Sequence, residues 1–253
     1  MIIKNKKNFI LSLSVFAISS LMIYISVYYV IPFFLKIGLR FGEAYLFCFY
    51  LPFFILFLSC MILYKCEGNQ WNWENFSSRL RLNSFNKNTL LWTIGLFIYA
   101  IIAYVITTQT IGIYIAKHIK FLSPPDFLPA GINPTKQMQP GYFFDIPLKG
   151  NWWFAIFYFI GWFFNIFGEE LMFRGFLLPK DEVNFGNHAW VYQGFIWSLW
   201  HFFWKWNVIP LLISVTIPLV FVVQKRKNTW IGIIIHGALN IIPLIMIIYG
   251  IIF

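Results

Sequence analysis

Glu169, His201, His236 and Asn240 are the side chains of this sequence best suited to acid–base chemistry, and each sits in an otherwise apolar run. Glu169 and Glu170 belong to Phe167-Gly168-Glu169-Glu170-Leu171-Met172-Phe173-Arg174-Gly175, which follows the uncharged stretch from Asn151 to Ile166. An ionisable side chain at membrane depth costs at least ~2.5 kcal/mol and marks a functional site by default. Spacing sorts these groups by face. His236 and Asn240 are four residues apart, so on a helix they can act on one object. Glu170 and Arg174 share that spacing and can pair, offsetting each other's burial. Glu169 is rotated about 100° from Glu170 and is the carboxylate left for chemistry. Two chemistries are open. In one, Glu169 deprotonates a water oriented by His201, while His236 and Asn240 donate hydrogen bonds to the oxyanion on a scissile carbonyl. In the other, His201, His236 and Glu169 hold a catalytic zinc ion; the first needs no cofactor. Ser198, three residues before His201, is a weak nucleophile candidate. His118 and His188 fall in connectors and read as solvated.

The elements that must position these groups are membrane helices. The chain has 253 residues, 60% hydrophobic and 11% charged, against about 25% charged in soluble domains. A formal net charge of +10 does not indicate nucleic acid, because the basic residues lie in connectors between apolar runs, as membrane topology places them. Cys48, Cys60 and Cys66 form no CxxC and read as small apolar residues rather than a disulfide or metal site. The first run lacks a small-residue cleavage site in the expected place and reads as an uncleaved span.

Apolar runs extend over about 9–34, 44–64, 89–116, 151–178, 189–204, 211–223 and 229–253. They imply an all-α polytopic bundle of about seven transmembrane helices, with six to eight as the range. Residues 1–150 hold the N-terminal spans and a Pro-rich extramembrane loop; residues 151–253 form a catalytic helical core. Pro179 and Lys180 are expected to end the fourth run, and Asp181 to His188 to form a polar turn. The 117–150 connector contains six prolines, Pro124, Pro125, Pro129, Pro134, Pro140 and Pro147. It cannot span as a helix and reads as a lid or re-entrant piece. The 65–88 connector, with Trp71, Trp73, Phe76, Arg79 and Arg81, suits a membrane surface or a solvated loop equally. Gly175, Gly194 and Gly237 would permit close helix approach.

A cytoplasmic N-terminus puts eleven basic residues inside and seven outside, leaving out Arg174 as intramembrane. This bias favours that orientation, in a bacterial cell (inner) membrane. Counted from the cytoplasmic connectors, Glu169, His201, His236 and Asn240 all lie at depths of roughly 12 to 18 Å. Four polar groups on three helices at one level imply a shared cavity, expected to open toward the cytoplasmic half. Membrane lipid is one partner.

Glu-Glu-x-x-x-Arg, aromatic-x-x-x-His and His-x-x-x-Asn, in this order on successive late helices, resemble the CPBP family. These are the intramembrane CAAX prenyl endopeptidases and their bacterial relatives, including bacteriocin-processing and self-immunity proteins. The resemblance covers about Asn151 to the C-terminus. It implies an endopeptidase, glutamate-dependent, that cleaves a membrane-associated or prenylated peptide or protein. It places the water-activating glutamate at Glu169, the histidines and asparagine at His201, His236 and Asn240, and the supporting pair at Glu170 and Arg174. One departure is visible: the second motif usually begins with phenylalanine and here begins with Trp197, which would narrow the pocket and leave the chemistry intact. Two other classes compete with the enzyme: a non-catalytic immunity or scaffolding protein, and a proton or cation carrier. No inverted repeat supports the carrier.

Overall fold

In hydrocarbon every backbone N–H and C=O must find its partner within its own segment, so these apolar runs have little alternative to helix. The computed structural model describes residues 4–253. Five helical stretches are long and apolar enough to cross a membrane: Lys6–Lys36, Phe41–Cys66, Lys87–His118, Trp152–Arg226 and Thr229–Ile252. The fourth reverses at Gly186–His188 and again at His201–Asn207, turning five stretches into seven end-to-end passes. One end of the bundle gathers the N-terminus and the 65–88, 181–188 and 224–228 connectors. There Asn5 N–H donates to Asn184 Oδ1 at 2.7 Å, Arg81 is bidentate on Glu182 at 2.7 Å, and Asn83 donates to the Lys227 carbonyl at 2.6 Å. The opposite end gathers the 117–150 connector and the C-terminus, with Gly42 N–H donating to the Phe144 carbonyl at 2.8 Å and Gly150 N–H to Ile251 at 3.4 Å.

Polarity runs inside out. Ile18, Phe47, Ile62, Ile98 and Ile245 face outward, whereas Glu169, Glu170 and Arg174 are at most 1% exposed. An apolar exterior around buried ionisable groups is what lipid requires. Cys48 and Cys60 are buried, Cys66 is exposed, and all three are free.

Proline shapes the spans from within. Wide π-helical turns at Ser26–Val30, Glu170–Leu177 and Leu212–Thr216 each end just before a helix with proline in its first turn, Pro32, Pro179 and Pro218. Proline offers no N–H and its ring crowds the carbonyl four residues back, so the ladder slips to the longer i→i+5 bond. No proline follows a fourth such turn, Thr108–Gly112. Pro179 therefore does not stop the helix as expected. In a first turn its missing N–H is not needed, so the chain continues as Leu178–Phe185 and then a 3₁₀ turn, Gly186–His188, in place of the expected polar turn.

The 65–88 connector is neither a free loop nor only a surface segment. Its short helix Trp73–Arg79, capped by Asn72, brings Arg79 against the end of the π-helical turn. Arg79 donates to the carbonyls of Gly175 (3.3 Å) and Phe176 (3.4 Å) and to Glu67 (2.6 and 3.0 Å). Lys180 reaches the same Glu67 at 2.5 Å. Partial burial raises the Glu67 carboxyl, but the hydrogen bonds from Arg79 and Lys180 outweigh it and hold it below its ordinary value.

The 117–150 connector folds in turns around a small antiparallel hairpin, Tyr142–Phe143 with Ile146–Pro147, paired Tyr142 to Pro147 and Phe143 to Ile146. Its turn residues Phe144 and Asp145 have φ of +51° and +63°, strained for a bulky aromatic. The Phe144 ring is held against Phe41 and Tyr45, and a Cβ on Gly131 would strike it at 2.8 Å.

Candidate active site

Three helices bring the site together: Trp152–Glu169, Ala189–Trp200 and Thr229–Asn240. Close approach depends on small residues. At Gly168 a Cβ would lie 2.7 Å from the Phe53 carbonyl, and at Gly232 it would lie 2.1 Å from Glu170 Oε2. The expected glycines serve similarly, Gly175 against Leu80, Gly194 against Ile217 and Gly237 against Trp162.

Glu169 is 1% exposed and is held at both oxygens. Asn165 Nδ2, one turn earlier, donates to Oε1 at 2.8 Å, and the Trp197 indole N–H donates to Oε2 at 2.7 Å. The carboxylate that spacing leaves free is thus fixed in place by two N–H donors. Asn165 and the indole are contributors that the motifs did not reveal. The four-residue spacing of Asn165 and Glu169 was the available signal for the first. Nothing in the sequence signalled the second.

Glu170 has a partner that spacing did not suggest. Its Oε1 accepts from His236 Nδ1 at 3.0 Å, while its Oε2 lies 3.5 Å from Arg174 Nε. The Glu170–Arg174 pair exists, but as proximity without a formed hydrogen bond: none of the three Arg174 nitrogens has a hydrogen-bond partner among the described residues. The guanidinium instead stacks on Trp197, its carbon 3.7 Å from the ring centroid.

The two histidines present defined nitrogens. His201 Nδ1 lies 2.8 Å from the Trp197 carbonyl. A carbonyl can only accept, so Nδ1 carries hydrogen and Nε2 is the unprotonated, accepting nitrogen in the neutral ring. His236 Nδ1–H donates to Glu170, which leaves its Nε2 as the uncommitted nitrogen. Asn240 donates one amide hydrogen to the His236 carbonyl at 3.1 Å, keeping its second N–H and its oxygen. The rings of His201 and His236 lie 5.6 and 5.4 Å from that of Trp197, so this indole sits between them.

Glu169, His201, His236 and Asn240 line one cavity of about 360 Å³, as their shared depth implies. Its walls are aromatic, with Tyr50, Phe53, Tyr158 and Trp162 among them, and come from both the 1–150 and 151–253 portions. Ala130 to Pro134 with Phe143 and Phe144 form part of the lining, so the Pro-rich connector is a roof over the site. That corrects the expected opening. The cavity reaches the end bearing the 117–150 connector, opposite the end that holds Asn5 and Glu67, because the roof belongs to the former.

Two other expectations meet the geometry. Ser198 is 1% exposed and its hydroxyl donates to the Val208 carbonyl at 2.6 Å, so it braces the backbone and is no nucleophile. The donor set does not fit zinc. Among the described residues no three His, Cys, Asp or Glu side chains gather closely enough to hold an ion, and both Glu169 oxygens face N–H donors. His118 and His188 are exposed in connectors, as expected.

Residues 151–242 match the model of the family described as Type II CAAX prenyl endopeptidase Rce1-like. No curated protein and no solved structure matches the chain. The matched stretch contains Glu169, Glu170, Arg174, Trp197, His201, His236 and Asn240, the residues that build the site. Through this 151–242 region the chain belongs to the CPBP family of CAAX-type intramembrane proteases.

Proposed function

We propose that the protein is an endopeptidase that hydrolyses a peptide bond of a membrane-associated or prenylated substrate, using water activated by Glu169. The observation carrying this reading is the single cavity lined by Glu169, His201, His236 and Asn240. A water between Glu169 and His201 Nε2 donates to both, which aims its lone pair at the substrate carbonyl. As the water oxygen bonds to that carbon, its proton passes to Glu169. The oxyanion is stabilised by Nε2–H of a protonated His236, whose charge Glu170 balances, and by the second amide hydrogen of Asn240. Collapse of the tetrahedral intermediate breaks the C–N bond while Glu169 returns the proton to the leaving amine, restoring the starting state. No step passes through a metal. The aromatic walls suit an apolar group such as an isoprenoid. We place the Asn5 end in the cytoplasm of a bacterial cell, from the lysine and arginine bias.

The test compares wild type with Glu169→Gln in lipid nanodiscs, on an internally quenched peptide carrying a farnesyl thioether near its C-terminus. Cleavage is expected in wild type, insensitive to 1,10-phenanthroline, and lost at least ~10³-fold in the variant, as when an essential base is removed. Equal turnover in the folded variant would refute the reading.

A further inference from the structure

Residue 197 touches both members of the pair that would activate water. Its indole N–H reaches Glu169 at 2.7 Å and its backbone carbonyl receives the His201 Nδ1 hydrogen at 2.8 Å. We propose that Trp197 is a positioning residue for Glu169 and His201, and that Arg174, stacked on its ring, keeps its N–H a strong donor. This rests on the reading of Glu169 as the base.

Three observations converge. Trp197 is 1% exposed, so no water competes for its N–H. Arg174 is wholly buried and its three nitrogens have no hydrogen-bond partner among the described residues, so its charge is not committed to the expected pair with Glu170. That charge lies over the indole face, 3.7 Å from the centroid, where the ring quadrupole attracts it. The geometry separates the two interactions: the cation acts perpendicular to the ring and the N–H points along the ring plane. A cation on the face draws electron density from the ring, makes the N–H edge more positive, and strengthens the bond to the carboxylate. The indole is thereby pinned in two directions, and the Glu169 oxygen is pinned with it. A phenylalanine here would keep the stacked face but have no donor, so the tryptophan contributes chemistry as well as bulk.

The experiment replaces Trp197 by Phe and, through nonsense suppression, by 3-benzothienylalanine, an isostere with sulfur where the indole has N–H. Both are assayed with the farnesylated peptide in nanodiscs, beside Glu169→Gln. The expected result is that kcat falls about tenfold or more in both, the effect of removing one buried charge-assisted hydrogen bond, with KM unchanged and the acid limb of the pH–rate profile displaced. An ultraviolet resonance Raman difference spectrum, wild type minus the isostere, should show a strongly hydrogen-bonded indole N–H band that weakens in Glu169→Gln. Wild-type kcat in the isostere overturns the proposal, even if Trp197→Phe is inactive or unfolded, because shape alone would then suffice. A free-indole Raman band overturns it without any substrate. An active Glu169→Gln protein would instead remove the reading of Glu169 as the base, while an inactive one beside a fully active isostere removes only this inference.

Discussion

Alanine at Gly232 should injure the site although Gly232 touches no substrate. In an open helix position Gly→Ala is stabilising by about 0.5–1 kcal/mol, since it lowers the entropy of the unfolded chain. At Gly232 the new Cβ would lie 2.1 Å from Glu170 Oε2 and 2.9 Å from its carboxyl carbon. Relief to van der Waals contact requires the carboxyl to retreat by about 1 Å or more. The retreat breaks its 3.0 Å bond to His236 Nδ1. A hydrogen bond to a charged group contributes about 1.5–3 kcal/mol, so after the helix-propensity gain Gly232→Ala should destabilise by roughly 1–2 kcal/mol. Loosening His236 by that distance should lower kcat on the order of 10²-fold. The control is Gly95→Ala in the Lys87–Thr107 helix, where a Cβ meets no atom within 4 Å. It should be fully active and slightly more stable. Reversible unfolding in mixed micelles by SDS titration gives the stability, and the quenched-peptide assay the rate. In a Glu170→Ala background the added methyl should cost nothing further, which a double-mutant cycle measures. A Gly232→Ala protein as stable and active as wild type would refute the assignment of Glu170 as the group that holds His236.

Two other predictions concern groups around the site. Ser198→Ala should lose about 1–2 kcal/mol of stability by leaving the buried Val208 carbonyl without its donor, yet keep kcat within about twofold because a bracing residue takes no part in the transition state; loss of turnover in a folded variant would reinstate it as a nucleophile. Glu67, held by Arg79 and Lys180 below its ordinary value, should stabilise the fold fully above its unfolded pKa near 4.5 and progressively less as pH falls through its lower folded value. The gap in unfolding midpoint between wild type and Glu67→Gln should therefore be widest at neutral pH and shrink in acid, and a gap that stays constant to pH 3 would refute the clamp.

The architecture and most of the site were legible before folding. Uncharged runs of spanning length leave the backbone no solution but helix, and their lengths place Glu169, His201, His236 and Asn240 at one depth by rise per residue alone. The cavity those four line is the direct outcome. The widened turn after Glu169 was also implicit, because Pro179 must displace the hydrogen-bond ladder on its N-terminal side. It was read instead as a stop signal. Proline at the start of a helix and proline after its end look alike until the next turn is seen to continue.

Contacts between helices were a different matter. Spacing within one helix pairs Glu170 with Arg174, since both sit on one face whatever the neighbours do. Whether that pair closes depends on what else approaches. His236 arrived on Glu170 and the Trp197 indole beneath Arg174, from helices whose rotation no local pattern specifies. The same holds for the roof: six prolines forbid a span, but only packing put Phe143 and Phe144 over the cavity and gave it the end opposite Asn5. Composition, periodicity and proline position determined which segments are helices and which polar groups share a level, because these depend on near-neighbours and on the solvent. Tertiary structure alone decided which nitrogen of each histidine is free, which donors hold Glu169, and why residue 232 must lack a side chain, because each depends on distances between residues far apart in the chain.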